Sequence, residues 1–334
     1  MIDPFGRTVT YLRLSVTDRC NLRCFYCMGG DPDFLPHRDV LTIEELARAA
    51  RCFIRQGVSK LRITGGEPLV RRGVLDLIAE LGREISAGRL SELTMTTNGL
   101  GLAIAAPRLR DAGMRRVNVS LDTLDTDRFG RITGGGRIDR VLQGIGAARS
   151  AGLQVKINTV LLPDTSDREI DSLIAWAGSE DMALTFIEAM PLGGLSGRPA
   201  GDFPSLRAFR ERLATRWTLL STTLTTGGPA RYVRVAETGG TLGFIGALSG
   251  CFCDRCNRVR MTSAGWVTWC LEGDDGLDLR SLLRKGADDP AIEQAILTGL
   301  ARKPGHHHFS ERQRSGQSAP PDSKERWRMN RTGG

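Results

Sequence analysis

Runs of strand-forming residues alternate with amphipathic helical segments over much of the chain, and this alternation restricts the fold more than any other feature. The predicted strands are 8–15, 60–64, 92–97, 116–120, 154–160 and 183–189, and the predicted helices are 42–56, 72–86, 101–112, 138–151 and 167–178. Such alternation predicts parallel strands joined by right-handed crossovers. Because six strand–helix units are too few for a closed eight-unit barrel, we expect an α/β fold built on a partial (β/α)6 barrel. In barrels of this type the site lies at the carboxyl ends of the strands.

The pattern changes near residue 225, where a stretch rich in Thr, Gly and Pro at 223–229 precedes shorter and less regular strands. We therefore expect two domains, a core at 1–225 and a smaller C-terminal α+β domain at 226–334. The tail from about 302 is rich in Arg, Ser and Pro, a composition typical of mobile segments, and it ends in Gly333 and Gly334.

Composition excludes some classes of protein and leaves others open. Hydrophobic residues make up 40% of the 334-residue chain, and no run approaches the roughly 18 apolar residues of a membrane helix. The first residues lack a secretory apolar segment, and the eight cysteines are grouped, as is typical of metal ligation inside cells. We expect a cytoplasmic protein with no membrane partner. The net charge of +8 suits an anionic partner, such as a polyphosphate or a nucleic acid, but it also suits a solvated basic surface.

Three cysteines, Cys20, Cys24 and Cys27, follow the first predicted strand within eight residues. A structural zinc site takes four protein ligands, and a cubane iron–sulfur cluster takes one cysteine for each iron. No fourth ligand lies nearby in the sequence, so a cluster bound here would keep one iron open to a small molecule. A zinc site that lacks one ligand is the alternative.

This C-x3-C-x2-C loop, with Tyr26 just before its last cysteine, resembles the signature of the radical S-adenosylmethionine (SAM) superfamily. The resemblance implies that Cys20, Cys24 and Cys27 hold a [4Fe-4S] cluster whose open iron chelates SAM. An electron from the cluster would split the sulfonium and produce a 5′-deoxyadenosyl radical. The resemblance also makes the expected barrel TIM-like, of the radical SAM type.

A second motif of the superfamily, Gly-Gly-Glu-Pro at 65–68, follows the second predicted strand. Glycines let a ligand approach the backbone closely, and Glu67 is able to accept hydrogen bonds from an ammonium group. The resemblance makes this loop the holder of the SAM amino group, although a tight turn explains the same residues. For an isolated Ser or Met, packing is the alternative to a contact. The SAM contacts that the resemblance implies are Tyr26, Gly66, Ser120 and Met190.

A second set of three cysteines, Cys253, Cys256 and Cys270, lies in the C-terminal part. Cys251 is near enough to complete a closed zinc or iron–sulfur site, but we expect it not to be a ligand. The spacing C-x2-C-x13-C resembles that of the GTP 3′,8-cyclase family, also called molybdenum cofactor biosynthesis protein A. Matching motifs cover nearly the whole chain, at 12–20, 62–68, 96–99, 118–120, 156–159, 252–260 and 333–334. The resemblance implies a second [4Fe-4S] cluster in the smaller domain, whose open iron contacts the guanine ring of GTP.

The basic residues acquire a role because the GTP triphosphate is strongly anionic and Arg donates to phosphate in a planar, bidentate way. The chain contains no Gly-x4-Gly-Lys-Ser/Thr loop, so side chains or other backbone groups must bind the phosphates. In 258–260, the alternation of a strand places both guanidinium groups on one face. The GTP contacts that the resemblance implies are Arg13, Arg62, Thr96, Lys156, Arg258, Val259 and Arg260.

The family implies a reaction. The radical would take a hydrogen atom from ribose C3′ of GTP, and the carbon radical would attack guanine C8. Reduction would then give (8S)-3′,8-cyclo-7,8-dihydroguanosine 5′-triphosphate, the first product of molybdenum cofactor biosynthesis. Because the cluster and SAM generate the radical, we assign no side chain as a catalytic residue. The implied partners are a downstream cyclic pyranopterin monophosphate synthase and a reductase or flavodoxin-type electron donor; no nucleic acid is expected, and a homodimer stays open.

Two positions depart from the family pattern, and two other functions stay open. Thr185 stands where the family usually has an Arg, and Thr332 stands where it commonly has an aliphatic residue before the terminal glycines. The first alternative is a radical SAM enzyme with an auxiliary cluster that acts on a peptide. The second is a zinc-stabilised nucleic-acid-binding protein, which would explain the charge and the cysteines but not the strand–helix units.

Overall fold

Strands and helices alternate as predicted in the computed structural model, which describes residues 1–28, 33–190, 193–195, 202–246, 248–250, 252–271, 275–307 and 331. The strands are β1 (Tyr11–Ser15), β2 (Lys60–Thr64), β3 (Glu92–Thr97), β4 (Arg116–Ser120), β5 (Gln154–Leu161), β6 (Ala183–Glu188), β7 (Leu219–Ser221), β8 (Arg231–Val235), β9 (Thr241–Ile245), β10 (Arg258–Met261), β11 (Trp266–Thr268) and β12 (Gly276–Asp278). The helices are α1 (Ile43–Arg55), α2 (Val74–Ser86), α3 (Leu102–Asp111), α4 (Thr126–Thr133), α5 (Ile138–Ser150), α6 (Asp167–Ser179), α7 (Leu206–Ala214), α8 (Leu279–Arg284) and α9 (Asp289–Leu300). Within these ranges, no helix is both long enough and apolar enough to cross a membrane.

The described strands form one sheet whose central part is parallel. β1 to β6 lie side by side in chain order, β10 pairs with the outer edge of β1, β9 pairs with β6, and all of these pairings are parallel. Antiparallel strands continue the sheet on both sides, β8 and β7 beyond β9, and β11 and β12 beyond β10. The partial α/β barrel is therefore confirmed. In the residues that the structure describes, however, the C-terminal part adds strands to both edges of the same sheet, and the boundary at 225 stays a prediction.

Alternation along the parallel strands separates an apolar face from a polar one. In β1, Leu12 and Leu14 are fully buried in the hydrophobic core, whereas Arg13 faces a cavity on the other side of the sheet. The helices pack on the apolar face. The first of them, α1, begins at the predicted capping box of Thr42 and buries Cys52 in the core, as expected.

The alternation does not predict α4, which lies with α5 in the connection between β4 and β5. The side chain of Asp125 caps its first turn by accepting a hydrogen bond from the Arg128 N–H, and Gly134 ends it in the left-handed region, with φ of 70°. A helix of eight residues spans little more than two turns, so its periodicity is difficult to recognise in a sequence.

Gly82 provides a test of the packing between α2 and α3. A Cβ at Gly82 would overlap the carbonyl oxygen of Ala112, whereas a Cβ at Gly146, on the exposed face of α5, would have no heavy atom within 4 Å. We expect Gly82→Ala to lower the free energy of unfolding by about 1–3 kcal/mol because of overpacking.

The matched control is Gly146→Ala, which should leave the free energy of unfolding unchanged or raise it by up to about 1 kcal/mol, because Ala is the better helix former. Melting temperatures of both variants, compared with that of the parent chain, measure the two effects. Equal melting temperatures for all three proteins would contradict the packing of these helices.

Candidate functional site

A cavity at the carboxyl ends of the parallel strands brings most of the predicted site residues together. Its wall comes from both parts of the chain: β1 to β6 and the loops that follow them, residues 226 and 228–230, β9, Phe252, β10 and Leu271. The predicted site residues in the wall are Arg13, Cys20, Cys24, Tyr26, Cys27, Arg62, Gly66, Thr96, Ser120, Lys156, Met190, Arg258 and Arg260. The motifs therefore meet where parallel strands end, and the role of each residue stays a prediction.

The Gly-Gly-Glu-Pro turn fixes the loop that carries the first three cysteines. The Gly66 N–H donates to the Thr17 carbonyl, and the Glu67 N–H donates to the Arg19 carbonyl, both at 2.8 Å. A Cβ on Gly66 would overlap the Arg19 carbonyl oxygen, so glycine is needed here for the close approach of the chain to itself. Gly66 also lines the cavity, and its contact with SAM stays a prediction.

The Glu67 carboxylate binds groups of the protein. It belongs to a residue that is 1% exposed, and it accepts hydrogen bonds from the Leu69 N–H at 3.0 Å, the Thr97 hydroxyl at 2.8 Å and the Asn98 N–H at 2.7 Å. Burial raises the pKa of Glu67 to about 7, although these donors act in the opposite direction. The Glu67 carboxylate thus holds the loops after β2 and β3 together, and a contact of this loop with the SAM amino group stays a prediction.

The three thiols of the first loop have the chemistry of cluster ligands. Cys20, Cys24 and Cys27 are free and line the cavity, and the Cys20 sulfur accepts a hydrogen bond from the Leu22 N–H at 3.4 Å. Burial raises the pKa of Cys27 to about 12 and also raises the pKa of Cys20 and of Cys24, so the thiolates would need the positive charge of a metal. Within the described ranges, no three Cys, His, Asp or Glu side chains converge on a point that one ion could occupy. A cubane binds each thiolate at a different iron, so this donor set fits a [4Fe-4S] cluster with one open iron.

Beside these thiols, the partly buried Tyr26 and the buried Asp122 form a polar pair that no motif identified. The Tyr26 hydroxyl donates to Asp122 Oδ2, and Asp122 Oδ1 accepts from the Val160 N–H, both at 2.8 Å. Burial raises the pKa of Asp122 to about 6. The pair fixes Tyr26 in the cavity wall, where SAM contacts were predicted. The sequence signal for Asp122 is its position two residues after Ser120, just beyond a strand end.

Basic side chains from neighbouring strands crowd together in the cavity wall. Arg13 on β1 is in register with Arg62 on β2 and with Arg260 on β10. Burial and the nearby guanidinium groups hold the pKa of Arg13 well below its ordinary value, and the same causes lower the pKa of Arg260 to about 10. Arg258 lies over the ring of Phe252, with 4.7 Å between the guanidinium carbon and the ring centre. Burial of like charges is unfavourable, so this wall favours an anionic ligand.

The side chain of Val259 lies on the opposite side of β10. Val259 is 1% exposed and belongs to the hydrophobic core, as strand alternation requires of a residue between Arg258 and Arg260. Any contact of Val259 with GTP would therefore have to use its backbone.

Lys156 is held by two residues of the C-terminal part that no motif identified. Its ammonium group donates to the Tyr232 hydroxyl at 2.7 Å and lies 5.0 Å from the centre of the Tyr232 ring. The same hydroxyl is 2.9 Å from the Thr226 hydroxyl, which fixes it from the other side. Burial, together with neighbouring positive charges, lowers the pKa of Lys156 to about 7.

Thr185, where the family usually has an Arg, is fully buried on β6 close to Tyr232. A Cβ added to Gly243 would lie 2.6 Å from the Thr185 hydroxyl and 2.9 Å from the Tyr232 ring. The two side chains thus share a small space over Gly243, and this space suits Thr better than a longer residue.

Several buried polar atoms of the cavity wall have no hydrogen-bond partner in the described part of the chain. They are Tyr11 Oη, Thr64 Oγ1, Thr96 Oγ1, Asn118 Oδ1 and Asn158 Oδ1. Buried polar atoms are normally hydrogen-bonded, so we expect these groups to bind a polar ligand or water. Of these residues only Thr96 was predicted. Each of the others lies two positions from a predicted residue, and this strand period was the available signal.

The second set of thiols lies beside the same cavity. Cys253 is buried, and Cys256 and Cys270 are partly buried. Phe252 and Leu271, which directly adjoin Cys253 and Cys270 in the sequence, line the cavity. The two cysteine motifs therefore border the same cavity, as a shared site requires.

The charges around the second set differ from those around the first. Burial alone would raise the pKa of Cys256, but the positive charges of Lys303 and Arg258 hold it below its ordinary value. Cys251, Thr332 and the terminal glycines, for which roles were considered, lie outside the described residues.

Comparisons with known proteins agree with this arrangement. A family model described as Radical SAM superfamily matches residues 14–177, and one described as Molybdenum Cofactor Synthesis C matches residues 182–309. Among solved structures, Streptococcus suis SuiB bound to S-adenosylmethionine superposes with a TM-score of 0.63 at 17% identity, over 86% of this chain and 68% of that one. Native anSMEcpe with bound AdoMet gives a TM-score of 0.58 at 15% identity, over 90% of this chain and 82% of that one. At such low identity, these two similarities concern the fold alone.

Curated relatives are much more similar in sequence. A GTP 3′,8-cyclase of Bradyrhizobium diazoefficiens is 54% identical over 309 residues, which are 92% of this chain and 90% of the relative. The GTP 3′,8-cyclase of Rhizobium meliloti is 54% identical over 92% of this chain and 88% of its own length. That of Mesorhizobium japonicum is 49% identical over 92% of this chain and 93% of its own length. The chain therefore belongs to the GTP 3′,8-cyclase family of the radical SAM superfamily.

Proposed function

We propose that this chain is a radical SAM enzyme that converts GTP to (8S)-3′,8-cyclo-7,8-dihydroguanosine 5′-triphosphate, the first step of molybdenum cofactor biosynthesis. The observation that carries the proposal is a cavity whose described wall combines three free thiols at the strand ends with basic side chains from β1, β2, β5 and β10. Relatives at 49% to 54% identity that are named GTP 3′,8-cyclase support the reaction.

The first set of thiols would hold a [4Fe-4S] cluster with SAM at its open iron. When both are bound, they supply one-electron cleavage of the sulfonium and so a radical that is able to abstract hydrogen. The chain's own contribution is to position the reactants. Tyr26, Gly66, Ser120 and Met190 line the space beside the thiols and would orient SAM. Apolar side chains in the same wall, from Val160, Ile187 and Ile245, reduce the access of water.

The basic wall would bind the triphosphate. Arg13, Arg62, Arg258 and Arg260 donate to phosphate oxygens, and the Thr96 hydroxyl, which has no partner in the described chain, adds a further contact. Fixing the nucleotide at several points holds ribose C3′ toward the first set of thiols, and such positioning lowers the barrier by removing orientational freedom. Lys156 joins this group, and Tyr232 holds its ammonium in place.

We further propose that Cys253, Cys256 and Cys270 hold a second [4Fe-4S] cluster whose open iron contacts the guanine ring. The neighbouring residues Phe252 and Leu271 in the cavity wall support this role. A reductase or flavodoxin-type protein would supply electrons, a cyclic pyranopterin monophosphate synthase would take the product, and the reaction would take place in the cytoplasm.

Anaerobic incubation of the purified protein with SAM, a reductant and GTP tests the reaction. Because the nucleotide loses one hydrogen atom and regains one electron and one proton, we expect an isomer of GTP, together with 5′-deoxyadenosine and methionine. Chromatography with mass spectrometry identifies these products. Formation of 5′-deoxyadenosine with no product derived from GTP would exclude GTP as the substrate and would favour a peptide-modifying enzyme.

Single cysteine variants separate the roles of the two sets of thiols. Cys24→Ser should abolish SAM cleavage because the first cluster loses a ligand. Cys256→Ser should keep SAM cleavage that is uncoupled from cyclisation, while the cyclised nucleotide is lost. The measurement is the yield of 5′-deoxyadenosine and of cyclised nucleotide in the same anaerobic reaction.

The control for these variants is Cys52→Ala, which removes a thiol of the hydrophobic core and should keep both activities. Normal cyclisation by Cys256→Ser would show that the role given to the second set is wrong.

Lys156 should make GTP binding dependent on pH. Burial and the charges of Arg62, Arg116 and Lys60 lower its pKa to about 7, so its side chain is mostly neutral at higher pH before GTP binds. A bound triphosphate favours the charged form and raises this pKa, so binding takes up a proton. Affinity for GTP should therefore fall several-fold as the pH rises from about 7.5 to about 9.

Titration calorimetry in buffers of different ionisation enthalpy measures both the affinity and the proton uptake. Lys156→Arg stays charged over this range and should bind GTP with little pH dependence. A parent protein whose affinity and proton uptake do not change with pH would contradict the prediction.

A further inference from the structure

Lys303, which lies three residues after α9, is a buried lysine without a carboxylate partner in the described chain. The residue is 3% exposed, and its ammonium group donates to the Arg258 carbonyl at 2.9 Å and to the Trp269 carbonyl. An ammonium group has three N–H donors, so among the described residues one donor is left without an acceptor. Lysine is almost never fully buried unless it faces a negative charge, and the two carbonyl dipoles supply only part of one.

The two carbonyls place this ammonium group between the segments that carry the second set of cysteines. Arg258 lies two residues after Cys256, and Trp269 directly precedes Cys270. The ammonium group of Lys303 therefore lies against the backbone of two of the segments that would hold the second cluster.

Arg7 connects the segment that carries Cys253 to the residues that follow Lys303. Its guanidinium donates to the Cys253 carbonyl at 2.8 Å and to the carbonyls of Pro304 and Gly305, each at 2.7 Å. Unlike Lys303, Arg7 has a carboxylate partner, because Asp3 Oδ2 lies 2.6 Å from its Nε. The first residues of the tail, which were expected to be mobile, are thus fixed against the cysteine motif.

We propose that Lys303 is a positioning residue for the second cluster: it holds the Cys256 and Cys270 segments in place and supplies a buried positive charge that raises the cluster's reduction potential. This inference rests on the second cluster of the proposed function. A cubane with thiolate ligands is anionic and gains one more negative charge on reduction, so a buried cation beside it favours the reduced form. The third N–H of the Lys303 ammonium group, which has no acceptor among the described residues, would then face the anionic cluster.

A redox titration followed by electron paramagnetic resonance tests the proposal on the full chain, prepared anaerobically with its clusters. A background in which Cys20, Cys24 and Cys27 are changed to Ser isolates the signal of the second cluster. In Lys303→Met and Lys303→Gln, the ratio of reduced to oxidised cluster at a fixed ambient potential should fall about tenfold, which for one electron equals about 59 mV.

Two controls separate charge from general disturbance. Lys303→Arg keeps the positive charge and should restore the potential of the parent. Lys285→Met removes a positive charge from an exposed position at the end of α8 and should leave the potential unchanged.

Iron analysis distinguishes failure of the inference from failure of the second cluster, since two cubane clusters require about eight irons per chain. A parent protein that binds only about four irons would overturn both the second cluster and the inference. A parent with about eight irons and the same potential as Lys303→Met would overturn the inference alone. If Lys303→Met and Lys303→Gln lose the second cluster while Lys303→Arg keeps it, the positioning role is supported; loss in all three variants would overturn it.

Discussion

The parallel pairing of β10 with β1 is the contact on which the rest of the site depends. It places Arg260 beside Arg13 and Arg258 beside Tyr11, although these residues come from opposite ends of the chain. Because the pairing is parallel, the polar face of β10 is presented to the same cavity as the residues that follow β1. The same pairing brings Phe252, and with it the second set of cysteines, to the cavity that contains the first set.

A consequence of this pairing is a wall in which positive charge is only partly balanced. The Glu92 carboxylate pairs with Lys60 and with Arg116, but these three residues lie at the amino ends of β2, β3 and β4 and do not line the cavity. Farther along the strands, the crowding is strong enough to lower the pKa of the Tyr11 hydroxyl although burial alone would raise it. Such crowding destabilises the chain without a ligand, and a bound triphosphate would offset it. Ligand binding and the stability of the fold are therefore coupled in this region.

The two sets of thiols have the same residue type but different electrostatic surroundings. Burial and the carboxylate of Asp122 raise the pKa of Cys24 in the first set. Around Cys256 in the second set, the cations Lys303 and Arg258 outweigh burial. Reduction potentials of iron–sulfur clusters follow nearby charge and hydrogen bonding. Two clusters with identical ligands would therefore differ in the ease with which they accept an electron, and the protein around them would cause the difference.

Local patterns in the sequence were sufficient to predict β1 to β6, most of the helices between them and both sets of cysteines. Strand alternation, helix capping and ligand spacing each involve residues that are close together in the sequence. Each pattern is therefore visible within a short stretch of the chain. Helix α4 was not predicted, because a helix of eight residues is too short to show a clear periodicity in the sequence. The family resemblance then indicated the basic residues, which the cavity brings together.

The tertiary structure alone decided how distant segments complete the site. Tyr232 acts on Lys156 across 76 positions of sequence, and Arg7 contacts the carbonyl of Cys253 across 246. Glu67 likewise binds the loop after β3, which its own motif does not indicate. Neither the C-terminal strands at both edges of the sheet nor the burial of Lys303 follows from any local pattern. The reason is physical: charge balance and burial depend on everything that packs around a group, and only the folded chain determines those neighbours.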